Sequence, residues 1–144
     1  MIEILRMNES HVAAVAELEK QNFSLPWDEA SVRSELTNKL ALWLVAVEDG
    51  QTVGYVGSQT VLQEADMMNI AVADSHRRRG IARMLVQELI RQLDAYQLTL
   101  EVRQSNVPAI SLYESMGFQQ VGLRKNYYKQ PKENALILRK EWKN

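Results

Sequence analysis

Apolar positions recur along the chain with two different periods, and the points where the period changes divide it into elements. Ile2 to Arg6 reads as a short strand, after which Asn8 or Ser10 is placed to cap a helix whose Val12, Val15, Ala16 and Leu18 cluster near one face. Pro26 breaks that pattern, and Asp28 is suited to cap a second helix in which Val32 and Leu36, four apart, share a side. Two β-rich runs, Leu42 to Glu48 and Thr52 to Val61, flank Asp49-Gly50, a dipeptide that accepts the positive φ angles of a tight turn and so predicts an antiparallel hairpin. Met67 to Val72 is a third extended run. The polar stretch Asp74 to Arg79 then leads into Gly80 and a helix with Ile81, Leu85, Leu89 and Leu93 along one stripe.

Leu98 to Val102 is again a strand, so Met67 to Val102 has the size of a βαβ crossover. Pro108 suits the first turn of a helix with Ala109, Leu112, Tyr113 and Met116 inward and Gly117 as its stop, and Phe118 to Gly122 and Ala135 to Arg139 close the chain as strands. The order predicts a mixed α/β (α+β) fold, a central sheet flanked by helices, with residues 1–144 forming a single domain.

Composition narrows the chemistry. No cysteine is present, which excludes thiol nucleophiles and thiolate metal sites. His11 and His76 lie far apart without ligand-like spacing, so no metal is expected. Lys and Arg number 17 against 18 Asp and Glu, a net charge of −1, so neither a broad nucleic-acid footprint nor attraction to an anionic membrane is expected. Glu3, Arg6, Glu9 and His11 interrupt any apolar signal segment, and Ala41 to Val47 is too short to span a bilayer, so the expected location is cytoplasmic.

The sharpest local feature is Arg77-Arg78-Arg79-Gly80-Ile81-Ala82, set between an extended run and the start of an amphipathic helix. Three arginines alone describe a solvated turn. A glycine and two small or apolar residues placed directly after them, where free backbone N–H groups meet the positive end of a helix dipole, point instead to a phosphate or pyrophosphate ligand. Neither a P-loop nor a dinucleotide fingerprint fits these residues.

Arg77-x-x-Gly80-x-Ala82 resembles the R/Q-x-x-G-x-G/A motif with which the GNAT acetyltransferase superfamily holds the pyrophosphate of acyl-CoA. Asn69-Ile70-Ala71-Val72 resembles the family strand that pairs with the pantetheine arm, and Leu100 to Arg103 with Ser105-Asn106 the strand that follows. Leu112-Tyr113-Glu114 and Gly117-Phe118 resemble the next helix and turn. Phe23-Ser24-Leu25-Pro26-Trp27 and Arg124-Lys125-Asn126-Tyr127-Tyr128 are similar to the RimI group, which acetylates the N-terminal alanine of a ribosomal protein.

The resemblance implies a GNAT fold with splayed central strands that admit acetyl-CoA, and a substrate that is a protein N-terminus, that of the eighteenth small-subunit ribosomal protein. It implies Glu101 as proton acceptor and Tyr113 as proton donor. Acetyl-CoA contacts would come from Ile70, Ala71, Val72, Arg77, Arg78, Arg79, Gly80, Ile81, Ala82, Arg83 and Asn106. Ala82 stands where glycine is commoner, and Pro108 and Asn134 where the group often has other residues, so Asn134 leaves an acidic substrate contact open.

Each residue has a plainer role to weigh against this one. Arg103, two positions along the strand from Glu101, is the partner a purely structural carboxylate would take. Tyr113 sits at core spacing from Ala109 and Met116, and Asn106 is placed to cap the helix that follows. Trp27, Tyr127 and Tyr128 read first as core residues when each is taken alone, and together they suit the lining of a substrate cleft. Acetylation of lysine or of a small amine, and acyl-CoA binding without catalysis, share the same cofactor motif and stay open at this stage.

Overall fold

In the computed structural model, residues 1–129 and 131–142 are described. The strands are β1 (Glu3–Arg6), β2 (Ala41–Glu48), β3 (Gln51–Val61), β4 (Glu64–Val72), β5 (Gln97–Arg103), β6 (Gln119–Lys129) and β7 (Lys132–Glu141). The helices are α1 (Glu9–Asn22), α2 (Glu29–Ser34), α3 (Ile81–Gln92) and α4 (Val107–Ser115), with 3₁₀ turns at Glu35–Thr37 and Asp74–His76. The strands form one mixed sheet in the order β1-β2-β3-β4-β5-β7-β6. The chain groups into two compact units, residues 1–59 with 68–93 and residues 60–67 with 94–144, so β4 begins in the second and ends in the first.

In the first unit, β2 pairs antiparallel with both β1 and β3, Asp49 and Gly50 taking the positive φ angles that the hairpin demands. The two faces of these strands serve different helices. Val12, Val15 and Leu18 of α1 and Val32 of α2 pack with Trp43, Val45, Val47 and Tyr55 on one face. Gly54, adjacent to Tyr55 and so on the other face, lies against Ile81 and Leu85 of α3, where an added Cβ would come within 3.4 Å of both side chains. Asn8 caps α1 and Asp28 caps α2.

One carboxylate lies inside this unit. Glu19 of α1 is fully buried and is satisfied by three donors: the Trp27 backbone N–H at 2.8 Å, the Asn69 side-chain amide at 2.9 Å and the Tyr55 hydroxyl. Burial and the neighbouring Glu19 charge push the Tyr55 phenol above the usual tyrosine range, which keeps it a donor. The carboxylate ties α1, the segment before α2, β3 and β4 to one point.

In the second unit β5, β7 and β6 run antiparallel in succession, and Glu64, Ala65 and Asp66 of β4 stand in parallel register with Gln97, Leu98 and Thr99. Leu98, Leu100 and Val102 with Leu136 and Leu138 form a buried face. Thr99, Glu101 and Arg103 occupy the opposite face, confirmed by the Arg139 Nε to Thr99 hydroxyl bond at 2.9 Å across the β5–β7 register. Asn106 caps α4 through Ala109 N–H, and Lys140 Nζ holds the far end of that helix at the Met116 carbonyl, 2.6 Å away.

The elements match the expected order, with corrections at their edges. β4 begins at Glu64 rather than Met67, and Leu93 falls at the C-cap of α3, so Val86 rather than Leu93 joins the buried stripe. β6 continues past Gly122 to Lys129, because a long β7 offers it partners across an irregular register that no period of two reveals.

Gly57 gives the sharpest packing test. A Cβ there would lie 2.4 Å from Trp43 Cε2, and that indole is fixed by its bond to Glu35 and by stacking on Tyr55. Gly57→Ala is expected to lose about 2–3 kcal/mol and to lower Tm by at least roughly 5 °C in a thermal melt. An unchanged Tm would show that the indole yields.

Candidate active site

In the first unit, Ile70, Ala71 and Val72 end β4, and the chain passes through the Asp74–His76 turn to Arg77, Arg78, Arg79 and Gly80 before α3 starts at Ile81. Arg78 and Gly80 both take positive φ, 63° and 77°. Gly80 is the N-cap of α3 and offers no side chain, so no side-chain bond closes the helix start. The first bond of the α-helical ladder is Met84 N–H to the Gly80 carbonyl, which leaves the N–H groups of Ile81 and Ala82 ahead of that ladder. Two left-handed residues beside an uncapped helix start make a concave, donor-rich turn suited to an anion.

The three arginines are not equivalent. Arg77 is spent on Asn22 at 2.6 Å and Asp74 at 2.8 Å. Arg79 makes a bidentate pair with Glu48, at 3.0 and 2.7 Å, and His76 Nε2 lies 3.1 Å from the same carboxylate. The Arg79 bond holds the Glu48 carboxyl down at about 2. Arg78 is exposed and makes no hydrogen bond or ion pair among the described residues. Arg83 lies in the first turn of α3, half-buried.

In the second unit, Glu101 has one carboxylate oxygen, Oε2, that is buried and has no hydrogen-bond partner among the described residues. Its nearest cation is Arg124 of β6, whose Nε is 3.6 Å away, inside Coulombic range and beyond hydrogen-bonding distance. Arg103 is not its partner. That guanidinium goes to the Pro131 carbonyl at 2.9 Å, to Glu133 at 3.3 Å and over the Tyr128 ring at 4.3 Å. The structural role that the spacing allowed for Glu101 is therefore taken by Glu133.

Tyr113 is buried on α4 with its ring edge-on to Phe118 at 5.6 Å. Burial, reinforced by nearby Tyr128, pushes its phenol up to about 12. Tyr128 is pushed up to about 12 as well, by burial first and then by the Glu101 charge. Tyr128 thus stands within electrostatic reach of both residues. Asn106 takes the capping role, accepting from Ala109 N–H at 3.3 Å, which leaves its amide nitrogen uncommitted by that bond.

Several neighbours escaped sequence reasoning. Arg124 as the counter-charge, Glu133 as the acceptor for Arg103 and Ser105 N–H, and Glu48 as the holder of Arg79 all depend on strand register between distant segments. Tyr128 is a cleft candidate in the sequence together with Trp27 and Tyr127, and the effect of the Glu101 charge on it shows only in the fold. Among the described residues, no cluster of three or more His, Cys, Asp or Glu is arranged to hold a metal ion.

A mixed seven-stranded sheet in which a strand, an anion-receptive turn and a helix follow in succession, with a partly buried carboxylate on another of its strands, is the framework of an acyltransferase that uses a phosphorylated acyl carrier. The profile of the Acetyltransferase (GNAT) family matches residues 12–118, and the chain belongs to that family and is an acyltransferase. The ribosomal-protein-S18-alanine N-acetyltransferase of Escherichia coli has the same fold, with a TM-score of 0.91 at 32% identity, covering 100% of this chain and 96% of that one. The [ribosomal protein bS18]-alanine N-acetyltransferase of Salmonella typhimurium is 36% identical over 137 residues, 92% of each chain. A Bacillus subtilis relative provisionally assigned the same activity is 41% identical over 128 residues, 86% of this chain and 85% of its own.

The tyrosine environment makes a direct prediction. Tyr113 has a folded value near 12 against an ordinary 10, so its contribution to stability is complete below pH 10 and is lost as the pH rises from there to about 12. Ultraviolet difference titration of the native protein against Tyr113→Phe is expected to place the missing phenolate absorbance above roughly pH 11. A missing component centred near pH 10 would contradict the buried, donor-only assignment.

Proposed function

We propose that the chain acetylates the α-amino group of an N-terminal alanine, that of ribosomal protein bS18, with acetyl-CoA as cosubstrate. The observation that carries this reading is the buried Glu101 Oε2, which has no hydrogen-bond partner among the described residues. A buried carboxylate oxygen left unpaired costs on the order of 1–3 kcal/mol or more, and an incoming ammonium or water relieves that cost. The relatives that span nearly the whole chain carry this activity in their names.

In this reading Glu101 removes the proton from the substrate ammonium, directly or through one water, and the freed amine attacks the thioester carbonyl without an acetyl-enzyme. An α-amine has a pKa near 7.7–8.0 and a lysine amine near 10.4, so the α-amine is easier to neutralise by roughly 3.4 kcal/mol. One carboxylate suffices for the easier proton. Backbone N–H groups of the strand end at Ile70, Ala71 and Val72 supply the donor that the developing oxyanion needs.

Tyr113 donates to the departing sulfur. Full proton transfer from a phenol near 12 to a thiolate near 8.5 is uphill by roughly 5 kcal/mol, so Tyr113 serves as a hydrogen bond that strengthens as thiolate charge develops. The turn from Arg77 to Arg83 takes the pyrophosphate, with Arg78 as the guanidinium free to move onto it, and Asn106 contacts acetyl-CoA while capping α4. The family profile runs across both compact units, which supports residues 1–144 acting as one GNAT domain. The expected setting is the cytoplasm, with no metal, membrane or nucleic acid required.

Acetylation of lysine or of a small amine is the reading to separate from this one. Mixed with acetyl-CoA, an alanine-started peptide is expected to gain one acetyl on its α-amine, and a lysine peptide blocked at its N-terminus none. Glu101→Gln is expected to lower the rate on the alanine peptide at least about 100-fold. Arg78→Ala is expected to weaken acetyl-CoA binding about ten-fold and Arg79→Ala less than about three-fold, a guanidinium already held by a carboxylate having less to give. Preferred acetylation of the blocked lysine peptide would move the substrate assignment to side-chain amines.

A further inference from the structure

Residues 124–128 depart from strand geometry in a way that the neighbouring β7 strand enforces. Arg124 stands opposite Ala135 and Tyr128 opposite Glu133, so β6 advances four residues where β7 advances two. The surplus forms a bulge with Asn126 at φ 54°, a left-handed conformation that asparagine tolerates better than most residues. In a regular strand Tyr127 and Tyr128 would point to opposite faces. Here their rings meet edge-on at 5.1 Å.

The bulge is clamped by a single side chain. Asn134 Oδ1 accepts from the Asn126 backbone N–H at 2.9 Å, while its Nδ2 donates to Gln104 Oε1 at 3.1 Å. The Gln104 backbone N–H returns a bond to the Asn134 carbonyl at 3.1 Å. Asn134 therefore joins the bulge in β6 to the segment that leaves β5 just past Glu101 and Arg103. On the same face, Arg103 lies over the Tyr128 ring and is fixed by Pro131 and Glu133, and Arg124 lies over the Tyr127 ring at 5.3 Å. The Glu101 charge acts on Tyr128, and Tyr128 acts on Tyr113.

We infer that Asn134 is a positioning residue for acyl transfer: it clamps the bulge at Asn126 and so fixes Tyr128, packed under Arg103 on the face of β5 that carries Glu101, where it bears on the work of Glu101 and Tyr113. The inference rests on the roles given above to those two residues. It also settles the open position in the sequence, since the Asn134 side chain is engaged within the protein and serves the substrate through Tyr128. An aspartate in its place keeps the acceptor for Asn126, and Gln104 offers its amide nitrogen to the new carboxylate by turning over.

Two readouts on Asn134→Ala, Asn134→Asp, Tyr128→Phe and the Ala/Phe double variant test this. Asn134→Ala is expected to speed hydrogen exchange at the Asn126 amide about ten-fold or more, and Asn134→Asp to keep the protection. In the peptide assay Asn134→Ala is expected to lower kcat/KM about ten-fold with the acetyl-CoA Kd within about two-fold, and Asn134→Asp to stay within about three-fold of the parent. Added to Tyr128→Phe, Asn134→Ala is expected to cause little further loss, because the two act by one route. Unchanged exchange at Asn126 in the alanine variant overturns the clamp, whatever the enzyme acts on. Full activity of Tyr128→Phe, or independent losses that multiply in the double variant, overturns the route through Tyr128. A parent protein that transfers nothing to the alanine peptide counts against the proposed function alone, and the exchange measurement then still decides the clamp.

Discussion

A carboxylate oxygen that is shielded from water and has no hydrogen-bond partner among the described residues is the constraint around which the second unit of this chain is arranged. Glu101 Oε2 lies 3.6 Å from Arg124 Nε, within Coulombic range and beyond hydrogen-bonding distance. The competing cation, Arg103, is drawn away by Glu133, the Pro131 carbonyl and the Tyr128 ring. Those contacts come from β7, from Pro131 just before it and from the bulged end of β6. The strand pairing is thus what leaves Glu101 available.

The chain shows how differently it treats a carboxylate meant only to hold structure. Glu19 is fully buried, yet three donors satisfy it, and it ties four segments together. Glu48 follows the same logic at the surface, where it engages Arg79 bidentately and His76. Satisfied carboxylates fix the positions of loops and guanidinium groups in the first unit, whereas Glu101 Oε2 in the second has no hydrogen-bond partner among the described residues.

What the sequence made legible was local. The α3 stripe, the Asp49-Gly50 hairpin, the caps at Asn8, Asp28 and Asn106, and the glycine that opens the helix after three arginines all depend on residues within a few positions of one another. The family motif carried Glu101 and Tyr113 into view, and no periodicity would have separated them from an ordinary surface acid and a core tyrosine. Hidden were the relations fixed by register. Nothing in the spacing of residues 118–128 announces that two extra residues will bulge out at Asn126, that Arg124 rather than Arg103 will face Glu101, or that Asn134 will turn inward to close the bulge. The equality of Arg77, Arg78 and Arg79 in sequence likewise conceals that two are spent on Asn22, Asp74 and Glu48.

The account stands most directly on where the substrate nitrogen comes to rest. A crystal structure with a bisubstrate conjugate, in which CoA is joined through an acetyl link to the α-nitrogen of an alanine-started peptide, would locate it. The account predicts that nitrogen within hydrogen-bond reach of Glu101, roughly 2.6–3.2 Å directly or through one water, with the pyrophosphate on the turn from Arg78 to Arg83. A conjugate bound with its nitrogen away from Glu101, and that carboxylate still facing only Arg124, would contradict it.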